Sequence, residues 1–484
     1  MDNLDVKTVS KRSVYGILAL ASRTFLLQAL NFVTFFVISI ILSAGQLGIY
    51  TAVVAIQRVV SFLTDFGLGA ALVQKKEELR REDLKTAFTL QSVITLSIFL
   101  IFFIFIGQIK SFFNLTDAGG RLLLALVFTI FLSSFKTIPS ILLERKINFG
   151  RLVIPQIGES IIFNIVLVVL VINNFGIDSY TFAFLISAVL GIPLYYWVSP
   201  WKPGIGIYKA SLSDLKFGIQ FQAKNILATV KDDFLTVILV KFLPFNQIGY
   251  IGFAQKIAFF FYRYIVDSVT KVTFSSYSRL QENKEYLRLS IEKSLFFTSI
   301  IVFPALSGLI VVSFYLIKYL PGWGNKWEPA VISLIFFCLN ALVSSISGVL
   351  VNVLDATGRV RTTLKLMVLW TILTWTLTPL AILLWGYNGV AIASFMVTLS
   401  VFITIYLVKQ AVNFGFARSI YKPALATSIM VAVTYFMAIL FVNNLFTLVF
   451  VIILGGAIYT FSIYILAGKE IAGDLRKLFV KHET

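Results

Sequence analysis

A chain of 484 residues could hold two or three soluble domains, but 58% hydrophobic residues, a mean hydropathy of +0.90 and only 13% charged residues exclude an ordinary soluble protein. The net charge of +18 is spread between apolar stretches instead of forming one basic stripe, so nucleic acid is not an expected partner. The single cysteine, Cys338, lies in an apolar run and the single histidine, His482, in the polar C-terminal tail. With so few of these residues there is no disulfide framework, no thiolate or histidine metal site and no histidine-dependent acid/base chemistry to expect.

The pattern is that of an all-α polytopic membrane protein with about fourteen transmembrane helices. Lys7, Lys11 and Arg12 precede the first apolar segment, 14–42, which is too long for a secretory signal and leads directly into another span. It reads as an uncleaved first helix. Segments 46–73, 86–107, 121–143, 150–172 and 179–199 complete a first group of six. The turn Ser199-Pro200-Trp201-Lys202-Pro203-Gly204 has the composition of an interfacial linker. A second group of six follows at 213–241, 246–275, 289–317, 327–353, 362–385 and 387–408, and two further segments at 420–442 and 445–467.

Loop charge supports the count. Lys and Arg number 28 in the odd-numbered connections, beginning with the N-terminal tail, against 5 in the even-numbered ones. The positive-inside rule then places both termini in the cytosol. The longest outside connection, about 13 residues around Lys110 to Gly120, is too short to form a domain. Gln46-Leu47-Gly48-Ile49-Tyr50 recurs as Gln247-Ile248-Gly249-Tyr250, each time between the first and second helix of a group of six. Glu144-Arg145-Lys146 after the fourth segment is answered by Asp355 to Arg359 after the tenth. These repeats predict two pseudo-symmetric six-helix lobes, at 1–200 and 201–410, with two extra helices and a cytosolic tail at 411–484.

Eight cations lie well inside spans, those at span edges being counted with the connections, and six of the eight are on the first, second, seventh and eighth: Arg23, Arg58, Lys224, Lys231, Lys256 and Arg263. A cation near the bilayer centre costs roughly 2.5 to 3.5 kcal/mol on insertion scales, so such residues are expected to face a wet cavity. On the eighth segment Lys256, Arg263, Asp267 and Lys271 form one stripe at 3.6 residues per turn. Gln220, Lys224 and Lys231 form another on the seventh, with Asp232 and Asp233 beside it, and Arg58 shares a face with Asp65 on the second. Pairing among these charges, for example Arg263 with Asp267, would serve structure alone. For the group, cations outnumber Asp65, Asp232, Asp233 and Asp267, and unpaired positive charge in a low-dielectric cleft invites an anion. Arg23 and Lys293 lie near enough to a cytosolic end to snorkel. Arg58, Lys231 and Arg263 are the deepest, and they are the anion contacts expected from depth. Asp65, Glu159, Asp232, Asp233 and Asp267 are candidates for ion coupling or for charge pairing. Pro139, Pro155, Pro193, Pro304 and Pro379, three of them near Gly158, Gly191 and Gly308, are candidate hinges.

Asp65-Phe66-Gly67-Leu68-Gly69-Ala70-Ala71-Leu72-Val73-Gln74 before a basic loop resembles the signature of polysaccharide exporters of the Wzx type. Leu47-Gly48-Ile49-Tyr50 and Leu143-Glu144-Arg145-Lys146-Ile147-Asn148-Phe149 are similar to that family too. The likeness runs over essentially the whole chain. It implies the multidrug/oligosaccharidyl-lipid/polysaccharide transporter superfamily, shared with lipid II flippases and multidrug/toxin extrusion carriers. It further implies two six-helix lobes around a cavity lined by the first, second, seventh and eighth helices, whose substrate-binding cations would by position be Arg58, Lys224, Lys231, Lys256 and Arg263. The implied activity is flipping undecaprenyl-pyrophosphate-linked oligosaccharide across the plasma membrane, driven by an H+ or Na+ gradient with no cofactor. The implied partners are that lipid-linked substrate, the bilayer, and the glycosyltransferases and polymerase of the pathway. Lipid II flippases resemble one another in a basic-acidic pair well inside the first helix, whereas nothing from Thr24 to Leu42 is charged here. A multidrug/cation antiporter of the same fold would want a cavity of the opposite charge. A membrane-embedded polysaccharide polymerase or glycosyltransferase would want a larger outside loop, so an enzyme is not expected.

Overall fold

The protein is described by a computed structural model at residues 6–64, 72, 73, 75, 77–208 and 230–480, with the backbone path alone at 6–21, 63, 261, 272 and 474–480. Asp65, Gln220, Lys224, His482 and most of the Asp65–Gln74 motif lie outside the described residues. Every regular element among the described residues is helical. Among the described residues eleven helices are long and apolar enough to cross a membrane, which makes this a multi-pass membrane protein.

The helices are α1 (Val6–Ile41), α2 (Ala44–Thr64), α3 (Arg81–Ile104), α4 (Ile106–Phe113), α5 (Asp117–Arg145), α6 (Phe149–Ile172) and α7 (Asp178–Val198). A π-helical turn, Val230–Phe234, then leads into α8 (Leu235–Phe242) and α9 (Phe245–Leu280). They are followed by α10 (Lys284–Tyr319), α11 (Val331–Ala356), α12 (Val360–Trp385), α13 (Asn388–Thr398), α14 (Val401–Ala411), α15 (Phe416–Phe441) and α16 (Leu445–Val480). The connection expected as a loop around Lys110 to Gly120 is mostly helix. Its apolar run continues as α4, and the chain reverses only at Asn114, whose φ of 52° is left-handed.

Short polar residues start several helices. Thr116 accepts from the Gly119 N–H at 3.1 Å before α5, and Asn283 from the Glu285 and Tyr286 N–H groups at 3.2 Å before α10. Before α3, Asp83 accepts from the Arg80 N–H at 3.0 Å and from Lys75 Nζ at 3.0 Å.

The chain divides into two compact units, Met1–Gly249 and Tyr250–Thr484. In the first, α5 packs against α2, α3, α6 and α7, and its apolar window is 56% buried, more than that of any other candidate span. In the second, α11 packs against α10, α12, α13 and α14, and the window of the span Gly324–Ala356 is 50% buried, the next highest. These are the fourth and tenth segments of the sequence pattern, so the centre of each unit recurs at the same place in the repeat. The two extra helices, α15 and α16, pack on α10 and on each other.

Three local arrangements fix how helices meet within each unit. Gly48 on α2 lies against the backbone of Phe245 and Gly249 at the start of α9, and a Cβ on Gly48 would overlap the Phe245 carbonyl oxygen. A Cβ on Gly249 would likewise overlap the Ala44 carbonyl. The two copies of the repeated turn therefore touch each other through their glycines. The linker after α7 is docked on α3: Trp201 meets Phe88 edge-on at 5.2 Å, and the Gly206 and Tyr208 N–H groups donate to Thr89 and Thr86 hydroxyls at 3.0 and 3.1 Å. Finally, Pro304 inside α10 has no N–H to give the Ile300 carbonyl, and the Tyr459 hydroxyl of α16 donates to that oxygen at 2.6 Å.

Replacing Gly48 or Gly249 with Ala should open the crossing and cost the folded, monodisperse species in size-exclusion chromatography. Gly107→Ala and Gly456→Ala, where a Cβ meets nothing within 4 Å, should leave it intact. Tyr459→Phe should lower stability by about 1 kcal/mol, read as a lower midpoint of thermal unfolding, because the Ile300 carbonyl loses its donor.

Candidate functional site

Exposed helix faces in this protein are of two kinds. On α12, α15 and α16 they are apolar, with Leu383 83%, Leu440 72% and Phe446 87% exposed. Such faces belong against lipid chains. The exposed face of α9 carries Lys256, Arg263, Asp267, Ser268 and Lys271. A face this charged on a helix of a membrane protein belongs against water.

Packing within the second unit sets the rotation of α9. Phe253, Ala254, Ile257, Ala258, Val266 and Tyr277 are buried on the opposite side. Phe253 stacks on Trp327 with ring centres 4.1 Å apart, and Val266 lies beside Gly348 of α11. Asn352 of α11 donates to the Thr270 carbonyl and the Thr273 hydroxyl, both at 2.9 Å. With those contacts made, the stripe from Lys256 to Lys271 has only the open side to point to. Arg263 and Asp267, one turn apart, are near enough for the guanidinium to act on the carboxylate's charge.

In the first unit, Ala52, Val53, Ile56 and Val60 bury one side of α2 and leave Arg58 on the other. Arg58 Nη1 lies 3.4 Å from Asp233 Oδ1 in the π-helical turn, and its side chain is 57% exposed. Lys231 is ion-paired with its neighbour Asp232. The adjacent carboxylates thus each meet a cation, and two of the three deepest cations already have acidic partners. A π turn widens the helix by one residue, which is how three consecutive charges in Lys231-Asp232-Asp233 find separate directions.

Glu159 on α6 lies elsewhere, inside the first unit. It is ion-paired with Lys136 of α5, which is 8% exposed. The sequence reading did not name Lys136. Its signal was a lysine 19 residues into a span, facing a carboxylate 23 residues further on. Gly191 of α7 makes room: a Cβ there would stand 2.9 Å from Glu159 Cδ and 3.1 Å from Lys136 Nζ. Gly191, Gly158 and Gly308, which sit near prolines, are thus points of close side-chain approach, with Leu194 2.9 Å and Met430 3.6 Å from the Cβ positions of the latter two. Arg23 has a buried Nε with no hydrogen-bond partner. Cys338 is a free, fully buried packing residue.

The two sequence motifs of the first unit meet. Arg145 of Leu143–Phe149 donates from Nη1 to the Leu72 and Lys75 carbonyls at 2.9 and 2.6 Å, and from Nη2 to that of Glu77. One guanidinium holds the end of the Asp65–Gln74 stretch and the turn after it.

The model of a family described as "Polysaccharide biosynthesis protein" matches residues 37–332. Lipopolysaccharide biosynthesis protein WzxC of Escherichia coli (strain K12) is 25% identical over 76% of this chain and 74% of its own length. Succinoglycan biosynthesis transport protein ExoT of Rhizobium meliloti (strain 1021) is 22% identical over 68% of this chain and 65% of its own. Among solved structures, the lipid II flippase MurJ in an inward closed conformation superposes with a TM-score of 0.74 at 20% identity, over 93% of this chain and 99% of that one. An inward-facing multidrug resistance MATE family transporter of the MOP superfamily gives 0.61 at 13% identity, over 81% and 98%. The fold is theirs.

Single cysteines placed at Lys256, Arg263 or Lys271 should react with a water-soluble, charged maleimide in intact membranes, whereas cysteines at Leu383 or Phe446 should not. The buried Cys338 contributes no background. Equal labelling of both sets would contradict the division into wet and lipid faces.

Proposed function

Because the chain belongs to the polysaccharide biosynthesis protein family, we propose that it flips undecaprenyl-pyrophosphate-linked oligosaccharide units across the plasma membrane for assembly of a cell-surface polysaccharide. The observation that carries this reading is the exposed stripe of α9, on which Lys256, Arg263, Asp267 and Lys271 share one face. A pyrophosphate and its sugars need a wet, positive surface, while the polyprenyl tail can stay in lipid.

The mechanism is alternating access by fourteen helices with both termini in the cytosol, the positive-inside arrangement of the connections. Two six-helix lobes, 1–200 and 201–410, rock about the cavity while the helices of 411–484 stay with the second. Arg263 gives the phosphates a guanidinium fork. Arg58 contributes after exchange: an exposed ion pair is worth at most about 1 kcal/mol, so Asp233 yields its partner to a phosphate at little cost. Lys224, Lys231 and Lys256 extend the positive surface. An H+ or Na+ gradient resets the cycle. Glycosyltransferases that build the unit and a polymerase that consumes it are the partners on either side.

The naming of WzxC for lipopolysaccharide biosynthesis and of ExoT for succinoglycan transport supports this substrate class. A drug or cation antiporter of the same fold is disfavoured by the sign of the α9 face. No step here needs a covalent intermediate, which separates the reading from a polymerase or glycosyltransferase.

Arg263→Glu should abolish complementation of a flippase-deficient strain while expression and membrane insertion stay normal. Arg263→Lys should retain part of the activity, because it keeps the charge and loses the fork. Full activity of the glutamate variant would sink the cavity proposal.

A further inference from the structure

The ion pair inside the first unit has the chemistry of a cation site that the chain fills by itself. Glu159 and Lys136 meet between α5 and α6, and Gly191 of α7 leaves both of them space that any side chain would take. Further oxygen atoms lie on the neighbouring turns of α6 and α7. Gln156, one turn before Glu159 on the face of α6, has a buried Oε1 with no hydrogen-bond partner. The Tyr195 hydroxyl, one turn after Gly191, lies near Gln156 and Ser140 and close enough to Glu159 to feel its charge. A carboxylate, an amide oxygen and two hydroxyls are the hard donors that a sodium ion takes. What stands at the carboxylate is the Lys136 ammonium, a compact cation on a flexible stem.

We propose that Lys136 is a tethered cation, occupying at Glu159 the place of a free monovalent metal ion, so that removing its charge turns this cluster into a sodium site. Lys136 is the cation in direct contact with this partly buried carboxylate, and removing one partner of such a pair leaves the other uncompensated. Arg23 is the other positive group facing the cluster. Its influence reaches Tyr195, and its buried Nε has no partner. If Arg23 could take over Glu159 once Lys136 is gone, no ion would be needed. The inference does not depend on what the α9 face carries, because its test reads stability and not transport.

Thermal unfolding of the purified full-length protein, in sodium chloride and in choline chloride at equal ionic strength, tests it. The unaltered chain should show the same midpoint in both salts. Lys136→Met, which keeps the volume of the stem, and Lys136→Ala, which leaves room, should unfold several degrees lower in choline. Sodium should restore them in a saturable manner, and methylammonium should do so in Lys136→Ala. Adding Glu159→Gln to either variant should remove the salt difference. The proposal is overturned if sodium stabilises the unaltered chain through Glu159, a response that Glu159→Gln alone would abolish. It is equally overturned if both Lys136 variants behave alike in the two salts, whether because Arg23 has taken the carboxylate or because neither folds in sodium.

Discussion

Inside a hydrocarbon layer a charged side chain has no water to turn to, and that cost sorts the helix faces of this protein. Each charge must be paired within a lobe or stand on a face that stays wet. Lys136 and Glu159 take the first course, ion-paired between α5 and α6 where Gly191 of α7 leaves them room. Arg263, Asp267 and Lys271 take the second, on a side of α9 that the core contacts of Phe253, Val266 and Tyr277 turn outward. Faces with neither, such as those of α12 and α16, are left apolar and exposed. The same rule that makes the protein a membrane protein therefore also marks where an anionic head group could go.

Backbone groups obey the same constraint. Pro304 strips the Ile300 carbonyl of its helical donor, and the Tyr459 hydroxyl replaces it, which ties the last helix to α10 at the point where α10 is weakest. At the other end of the sequence Arg145 gathers three carbonyls where the chain leaves its helix before α3. In both places a side chain supplies what regular helix geometry cannot. That gives a physical reason for the Leu143–Phe149 motif to accompany the Asp65–Gln74 motif: the arginine of one holds the backbone of the other.

Much of the architecture was legible because long apolar runs, basic loops and 3.6-residue spacing are local signals. The stripe on α9 was readable from the positions of Lys256, Arg263, Asp267 and Lys271 alone. Partner choice was not, because it depends on helix rotation and on which helices adjoin. Glu159 gave no hint in its own neighbourhood that Lys136 would meet it, and Asp232 and Asp233 looked like a repelling pair until a π turn gave each its own cation. The Lys110 to Gly120 connection read as loop because its apolar stretch is short, yet Lys110 to Phe113 belong to α4 and Asp117 to Gly120 to α5. The repeated glycine turn announced two copies of a unit, but not that Gly48 and Gly249 would lie in contact.

The central claim is that a wet, positive helix face binds the pyrophosphate of a lipid-linked sugar and so carries it across. Purified protein in liposomes loaded with polyprenyl-pyrophosphate oligosaccharide tests this most directly, with a membrane-impermeant glycosidase reporting how much substrate reaches the opposite leaflet. The account predicts transfer that requires the pyrophosphate and falls to the protein-free rate in Arg263→Glu. Equal transfer of a neutral polyprenyl-linked sugar lacking the pyrophosphate would contradict it.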